Sequence, residues 1–285
     1  MMKKIIVYVC ACLLLVSCGN FTSENTRSRQ LLDSGWKFYR GEANAEQPGF
    51  DDSSWRTVDL PHDFSIEDIP GTGSPFSPDA VSGINGGFTE GGIGWYRKNI
   101  FVPSSQKDKN FELYFEGAYM NTDVWINGRH LGNHPYGYTP FVYDITDYLA
   151  YDQDNVIAVQ VKNEGNNSRW YAGSGLYRHV WLTVTNPLHI ITHGTYITTP
   201  TVTREMAEVV VETSIVNNYP SGNDVVIETV ITDDAGNRVA SIKADKKINA
   251  GNTDVFTQKT EIESPQLWSP DTPYLYNVPT RIYWT

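Results

Sequence analysis

The chain has 285 residues, with 33 acidic and 22 basic side chains and a formal net charge of −11. A surface this acidic repels nucleic acid and anionic lipid headgroups, and no run of lysine or arginine offers a stripe for phosphates, so we predict no nucleic-acid partner. Hydrophobic residues make up 40% of the chain and aromatic residues 13%, which is ample material for a folded core, and the length suits two domains.

The N-terminal residues 1–17 have the character of a lipoprotein signal peptide. Lys3 and Lys4 precede an apolar run over residues 5–16 that is too short to span a bilayer. The run ends in Leu15-Val16-Ser17-Cys18-Gly19, which resembles the lipobox of bacterial lipoproteins and implies cleavage before Cys18 and lipidation of that cysteine. The alternatives are a transmembrane anchor or a buried helix, but the short length and the small residues around Cys18 argue against both. We therefore expect an exported bacterial lipoprotein, anchored to the membrane through Cys18 in the periplasm or at the outer membrane, with a flexible tether over residues 18–30.

The cysteines and histidines offer little chemistry. Cys10, Cys12 and Cys18 all lie in the leader or at its cleavage point, so the rest of the chain has no thiol for a disulfide, a metal site or a nucleophile. His189 and His193 share strand parity, but two isolated histidines are weak evidence for a metal. We predict no metal site and no cofactor.

Residues 31–186 show the period of half-buried β-strands. Phe111, Leu113 and Phe115 alternate with more polar residues, and the same alternation recurs along the segment. Asn127-Gly128 is a strong signal for a two-residue hairpin, because both positions of a type I′ turn need positive φ. The connection over residues 70–94 is long and rich in glycine and proline. We predict an all-β sandwich of jelly-roll type, with long loops at one end.

Residues 187–285 predict a second sandwich. Pro187 marks a linker, and strands of similar spacing follow it, as in immunoglobulin-like domains with about seven short strands. Residues 274–285 have the pattern of one strand with Pro279 inside it, although proline is confined to edges and bulges. This strand runs to the end of the sequence, so we expect the second sandwich to be incomplete at its C-terminus.

The loop over residues 163–178 carries the strongest indication of function. Arg169, Trp170 and Tyr171 are adjacent, so at least one large aromatic side chain must face outward. Short hydrogen-bonding side chains and glycines surround them. Flat apolar faces beside such groups suit a sugar ring, which has apolar CH faces and a rim of hydroxyls. The alternative is a long connection whose aromatic residues cap the core.

A series of short motifs resembles the opening part of glycoside hydrolase family 2, in the family's order and over residues 31 to about 278. In the first predicted domain the motifs are Gly35-Trp36-Lys37-Phe38, Phe50-Asp51-Asp52-Ser53-Ser54-Trp55, Leu60-Pro61-His62-Asp63-Phe64, Gly94-Trp95-Tyr96-Arg97-Lys98, Phe115-Glu116-Gly117-Ala118-Tyr119, Val124-Trp125-Ile126-Asn127-Gly128, Gly137-Tyr138-Thr139-Pro140-Phe141 and Gly173-Ser174-Gly175-Leu176-Tyr177-Arg178. In the second they are Pro265-Gln266-Leu267-Trp268-Ser269-Pro270 and Pro273-Tyr274-Leu275-Tyr276. Within the family, these motifs most resemble those of the β-galactosidases. The β-mannosidases and β-glucuronidases share the same N-terminal part.

The resemblance implies an order of domains: a galactose-binding-like jelly-roll domain that binds sugar, an immunoglobulin-like sandwich and then a TIM barrel with two catalytic glutamates. Retaining hydrolysis needs a nucleophile and an acid/base roughly 5–5.5 Å apart. The sequence stops before such a barrel, so we expect no catalytic residue in it and no hydrolysis by this chain alone.

In the family, the loop corresponding to residues 163–178 reaches toward the barrel and shapes the sugar pocket. By position, the resemblance implies Asn167, Arg169, Trp170 and Tyr171 as substrate-binding residues. In the alternative, Arg169 pairs internally and Trp170 packs inward. Ala172 departs from the proline or serine of many relatives, which weakens the transfer.

The leading interpretation is therefore the non-catalytic N-terminal portion of an exported β-galactosidase-like hydrolase, with a β-galactoside-like glycan as its partner. A mannoside or a glucuronide remains an alternative sugar. The second hypothesis is a free-standing glycan-binding surface lipoprotein without hydrolytic activity. A structural cell-surface protein without ligand is the third, and it leaves the ordered motifs unexplained.

Other family motifs have structural explanations. Four tryptophans are expected to anchor the core: Trp36, Trp55, Trp95 and Trp125. His62-Asp63 invites an acid/base interpretation, but adjacent residues in a strand point opposite ways, which favours a local structural hydrogen bond.

Overall fold

The structure, a computed structural model, describes residues 27–165 and 170–285. Within these ranges the chain is built of strands and four short 3-10 turns, at Phe64–Ile66, Gly83–Gly86, Ser104–Gln106 and Thr146–Tyr148. This confirms the prediction of an all-β protein. No helix in the described ranges is long and apolar enough to cross a bilayer. The predicted signal peptide over residues 1–17 and the predicted lipidation site, Cys18, lie outside the described residues.

Ten strands form the first sandwich, between residues 27 and 185. In chain order they are β1 (Arg27–Leu31), β2 (Trp36–Arg40), β3 (Arg56–Val58), β4 (Gly92–Val102), β5 (Asn110–Phe115), β6 (Thr122–Ile126), β7 (Arg129–His134), β8 (Phe141–Asp144), β9 (Gln153–Asn163) and β10 (Val180–Thr185). One sheet has four strands in the order β1-β10-β5-β8, and the other has six in the order β3-β2-β4-β9-β6-β7. All their pairings are antiparallel.

The core of the first sandwich lies between these sheets because the strands alternate. In β5, Phe111, Leu113 and Phe115 are buried, and the residues between them remain partly exposed. Trp36 faces them from the six-stranded sheet and is fully buried. Its indole Nε1 donates to the Leu32 carbonyl at 2.6 Å, so the buried N–H group has a partner.

The tryptophans expected in the core are found there, with one exception. Trp36, Trp55 and Trp95 are buried. Trp125 is half-buried on the outer face of the six-stranded sheet, stacked on Trp95 with ring centroids 5.4 Å apart. A small second core thus covers this face.

The Asn127-Gly128 hairpin is confirmed. The two residues connect β6 to β7, with φ of 50° and 80°, as a type I′ turn requires. The Asn127 side chain also accepts a hydrogen bond from the Val156 amide at 2.9 Å. The turn is therefore fixed to the neighbouring strand β9.

The predicted tether over residues 18–30 is wrong for its last part. Residues 27–30 belong to β1, which pairs with β10. The Arg29 guanidinium lies 4.2 Å from the Trp181 ring centroid, which holds the strand by a cation–π contact. All five β1 side chains are exposed, so the sequence shows no apolar alternation there.

Six strands form the second sandwich, between residues 188 and 284. They are β11 (Leu188–Thr198), β12 (Met206–Asn217), β13 (Asn223–Thr232), β14 (Arg238–Ile248), β15 (Thr253–Glu263) and β16 (Thr280–Trp284). Two three-stranded sheets, β11-β12-β15 and β14-β13-β16, enclose a largely aliphatic core.

The single strand predicted over residues 274–285 is shorter in the structure. β16 begins only after Pro279 and pairs with β13. Before it, Asn277 forms an isolated bridge with Thr232. Pro279 has no N–H to donate, but its carbonyl accepts from Val230 at 3.0 Å. Pro279 therefore delays the start of the regular strand, but the residues on both sides of it still pair with β13.

The two sandwiches contact each other through side chains of β5 and β11. Thr192 donates to Glu112 at 2.5 Å. The Tyr114 and His193 rings lie 5.6 Å apart. Burial lowers the pKa of His189, whose Nδ1 lies 2.9 Å from the Asn186 carbonyl. His189 and His193 thus both contact other residues at the junction between the sandwiches.

Candidate functional site

A pocket of about 380 Å³ opens beside the loop that connects β9 to β10. One wall comes from residues 163–165 and 170–173, and the other from residues 79–92, before and at the start of β4. Ser82 ties the second wall together by donating to the Thr89 carbonyl at 2.9 Å. The lining combines glycine backbone, carboxylates and one indole.

Trp170 supplies the aromatic surface of the pocket. Its side chain is 62% exposed, so the prediction of an outward-facing aromatic is confirmed and the alternative in which Trp170 packs inward is wrong. The indole Nε1 donates to the Tyr138 hydroxyl at 3.1 Å. The ring is therefore held by a hydrogen bond although most of the side chain is exposed.

Tyr171 points the other way, onto Asp63. It is 43% exposed, but its hydroxyl donates to the Asp63 Oδ2. Burial and this hydrogen bond to a carboxylate raise the pKa of Tyr171 to about 12. The Tyr171 hydroxyl is thus committed to Asp63, and Tyr171 is not among the residues that line the pocket, whereas its neighbours Trp170 and Ala172 are.

Asp63 holds the end of the loop in place. Its Oδ1 accepts from the Ser65 amide at 3.0 Å, the Ser65 hydroxyl at 2.6 Å and the Ser174 amide at 2.7 Å. With Tyr171 on the other oxygen, one carboxylate connects the 3-10 turn after β3 to residues 171–174. Hydrogen bonds to a charged acceptor are among the stronger ones in proteins.

Backbone pairing extends this attachment. The Phe64 amide donates to the Ser174 carbonyl at 2.8 Å, and Gly175 exchanges two hydrogen bonds of 3.0 and 2.9 Å with Tyr119. Gly175 has φ of 131°, and a Cβ there would lie 2.4 Å from the Tyr96 hydroxyl. Only glycine fits this approach. At the other end of the loop, the Asn163 amide group donates to the Gly173 carbonyl at 3.0 Å.

His62 and Asp63 do not form an acid/base pair. His62 Nδ1 lies 2.7 Å from the Tyr96 hydroxyl, and its Nε2 lies 2.8 Å from Glu67. Burial lowers the pKa of His62. Burial by itself would raise the pKa of Glu67, but hydrogen bonds from Arg56 and His62 bring this pKa below its usual value. The structure thus gives His62 structural hydrogen bonds, as the sequence favoured.

The pocket is lined by the carboxylates of Asp79, Glu90 and Glu164. Glu90 lies 3.9 Å from the Arg40 guanidinium. Carboxylate and carbonyl oxygens around an indole can accept hydrogen bonds from hydroxyl groups, which fits a neutral polyhydroxylated ring. Two predicted site residues, Asn167 and Arg169, lie outside the described residues.

Sequence reasoning missed Asp63 and Tyr138 at this site. Both lie within family motifs, and Asp63 was otherwise considered only as a neighbour of His62. The partner of Asp63 is 108 residues away in the chain, and no local pattern reveals it.

Comparison with known proteins agrees with this architecture. Residues 30–187 match the family model described as "Glycosyl hydrolases family 2, sugar binding domain", and residues 189–285 match the model described as "Glycosyl hydrolases family 2". The two β-sandwiches thus correspond, in the same order along the chain, to two models of one family. The chain belongs to glycosyl hydrolases family 2.

Three relatives illustrate the similarity. The chain is 42% identical to Beta-galactosidase BoGH2A of Bacteroides ovatus over 270 residues, covering 94% of this chain and 31% of that protein. It is 34% identical to a putative beta-glucuronidase of Formosa agariphila, covering 95% of this chain and 25% of that protein. A crystal structure of a family 2 member from Bacteroides cellulosilyticus superposes with a TM-score of 0.83 at 47% identity, covering 90% of this chain and 33% of that one. The chain thus spans between a quarter and a third of the length of these relatives.

Proposed function

We propose that this chain supplies the carbohydrate-binding, non-catalytic part of an exported β-galactosidase-like glycoside hydrolase, and that the loop over residues 163–178 forms one wall of its sugar pocket. The observation that carries the proposal is the position of Trp170. Its exposed indole lines a pocket of about 380 Å³ and is fixed by a hydrogen bond to Tyr138. An apolar surface beside convergent polar groups is the usual composition of a small-ligand site.

The attachment of residues 171–175 supports the same function. Asp63 and the Gly175 backbone hold residues 171–175, so the chain directly after Trp170 is anchored. Binding to a preorganised surface avoids much of the entropic cost of ordering side chains and loops. Within this proposal, Asn167 and Arg169 contribute polar contacts, and the ring of Tyr171 borders the sugar.

A β-galactoside is the substrate class we favour. Among the relatives described above, the β-galactosidase is more similar to this chain, at 42% identity, than the putative β-glucuronidase, at 34%. The pocket's carboxylates also favour a neutral sugar over an anionic uronide by charge repulsion. Export with a lipid on Cys18, and a location in the periplasm or at the outer membrane, complete the proposal.

We expect the chain by itself to bind and not to hydrolyse. A retaining glycosidase needs a carboxylic acid whose pKa is raised, beside a second carboxylate. The chain covers 31% of the length of the β-galactosidase relative, and the resemblance places both catalytic glutamates in a barrel, outside the two sandwiches. Release of nitrophenol from a nitrophenyl galactoside by the pure chain would contradict this expectation.

Binding can be tested by saturation-transfer NMR and calorimetric titration with galactosides and galactose-containing polymers. Trp170→Ala should abolish or strongly weaken binding. Trp268→Ala is a matched control, because Trp268 lies in the second sandwich and is 59% exposed, close to the 62% of Trp170. If the wild-type chain binds none of these glycans, or if both variants lose binding equally, the proposed function is wrong.

A further inference from the structure

A second aromatic surface lies next to Trp170, on the connection between β7 and β8. Tyr136 is 55% exposed and Tyr138 is 42% exposed. Their ring centroids are 5.6 Å apart in an edge-to-face arrangement. Tyr138 also accepts the Trp170 indole hydrogen bond at 3.1 Å. The three rings thus form a continuous row that begins at the pocket.

This connection is as firmly held as the loop beside it. The Tyr177 hydroxyl donates to the Gly137 carbonyl at 2.6 Å, and the Asn121 amide donates to the Pro135 carbonyl at 3.2 Å. Gly137 lies so close to the buried Tyr119 ring that a Cβ would meet it at 2.1 Å. Tyr119 in turn supports Tyr138, with ring centroids 5.3 Å apart.

Exposure and rigidity together distinguish these tyrosines from ordinary surface residues. A side chain of the core would be buried, and Tyr136 is exposed. Its backbone is held on both sides, by hydrogen bonds to the carbonyls of Pro135 and Gly137. Rigid, exposed tyrosines provide a large amphipathic contact area at a low cost in side-chain entropy. The surface therefore suits a ligand with flat apolar faces and hydroxyl rims.

We propose that Tyr136 and Tyr138 form a second sugar-binding subsite, occupied by the neighbouring residue of a neutral β-linked oligosaccharide whose first residue lies against Trp170. This inference rests on the proposed function and extends it from a single sugar to a chain of sugars. Continuity with the pocket through the Trp170–Tyr138 contact identifies the occupant. The net charge of −11 disfavours an anionic polysaccharide.

The test compares a monosaccharide with an oligosaccharide, using methyl β-galactoside and a β-1,4-linked galactotetraose. In the wild-type chain, the tetrasaccharide should bind about tenfold more tightly, as one additional ring contact of about 1.4 kcal/mol predicts. Tyr136→Ala should remove this gain and leave the affinity for the monosaccharide unchanged. Tyr136→Phe keeps the ring and should retain most of the gain.

Two further variants separate this inference from the proposed function. Trp170→Ala should weaken binding of both ligands, and Tyr196→Ala, at an exposed tyrosine of β11, should affect neither. If Tyr136→Ala changes neither affinity, or lowers both by the same factor, the second subsite is wrong, while loss of binding in Trp170→Ala still supports the pocket. If the wild-type chain binds neither ligand, both proposals are wrong.

Discussion

The two sandwiches are made of similar antiparallel strands, but their connections differ. In the first sandwich, the connections before β4 and between β9 and β10 are long and are held by residues from distant parts of the chain, as Asp63 holds Ser174. In the second, the turn after β13 is held mainly by local hydrogen bonds, with Asp233 accepting from the Asn237 amide at 2.7 Å. The Tyr274 hydroxyl adds one contact from outside the turn, to Asp234 at 3.1 Å. Either kind of connection can complete a sandwich. The long connections with distant attachments are the ones that surround a pocket.

The cores differ in the same direction. The first core contains fully buried aromatic side chains such as Trp36 and Phe38. The second is mainly aliphatic and includes a buried polar pair, in which Thr229 donates to Gln258 at 2.7 Å. The first sandwich therefore has a large aromatic base beneath the connections that line the pocket.

The largest expected effect tests whether these cores are independent. Trp36→Ala should destabilise the first sandwich by about 3–5 kcal/mol, the usual cost of removing a buried tryptophan. Phe256→Ala should destabilise the second by a similar amount, because Phe256 is buried in its core. Each variant should lower the midpoint of one transition in calorimetry or urea unfolding. A single transition shifted equally by both variants would show that the sandwiches unfold as one unit.

The next effect compares two aspartates in the two kinds of connection. Asp63→Ala should cost about 3 kcal/mol, since it removes a carboxylate that accepts four hydrogen bonds. It should also weaken glycan binding, because residues 171–174, which follow Trp170, would lose their attachment to Asp63. Asp233→Ala is the matched control, because its side-chain hydrogen bonds stay within residues 233–237 of its own turn. Proteolysis of the loop and urea unfolding would measure both variants, and equal effects would contradict the distinction between the connections.

Much of this contrast could be predicted from the sequence. The alternation of Phe111, Leu113 and Phe115 indicated a strand with one buried face, and the positive φ required by Asn127-Gly128 identified a hairpin. Adjacent aromatic residues around Trp170 required at least one to face outward. These are local rules, in which a residue's neighbours in the chain determine its environment.

The attachments between distant segments could not be predicted. Tyr171 meets Asp63 across 108 residues, and nothing in either segment specifies the other. The strand β1 was missed because its exposed residues show no apolar period, and its pairing with β10 depends on the sheet already being formed. Sequence patterns thus identify the strands and the candidate loop, while the geometry of the site depends on long-range contacts.

The smallest expected effect separates the two roles of Tyr171. Tyr171→Phe keeps the ring and removes the hydrogen bond to Asp63, so we expect a loss of about 1 kcal/mol at neutral pH and little change in glycan affinity. The folded-state pKa of about 12 lies above the ordinary value of 10.0. The stabilisation is therefore present in full below pH 10 and is lost as the pH rises toward 12.

The difference in unfolding free energy between the wild-type chain and Tyr171→Phe should accordingly shrink between pH 10 and pH 12. Urea unfolding at several pH values would measure it, with Tyr196→Phe as a control on an exposed strand of the second sandwich. A constant difference up to pH 12 would mean that Asp63 does not hold the Tyr171 hydroxyl in solution. Unchanged stability with reduced glycan affinity would instead make the hydroxyl a sugar contact, and the attachment of the loop would then depend on Ser174 and the backbone of Gly175.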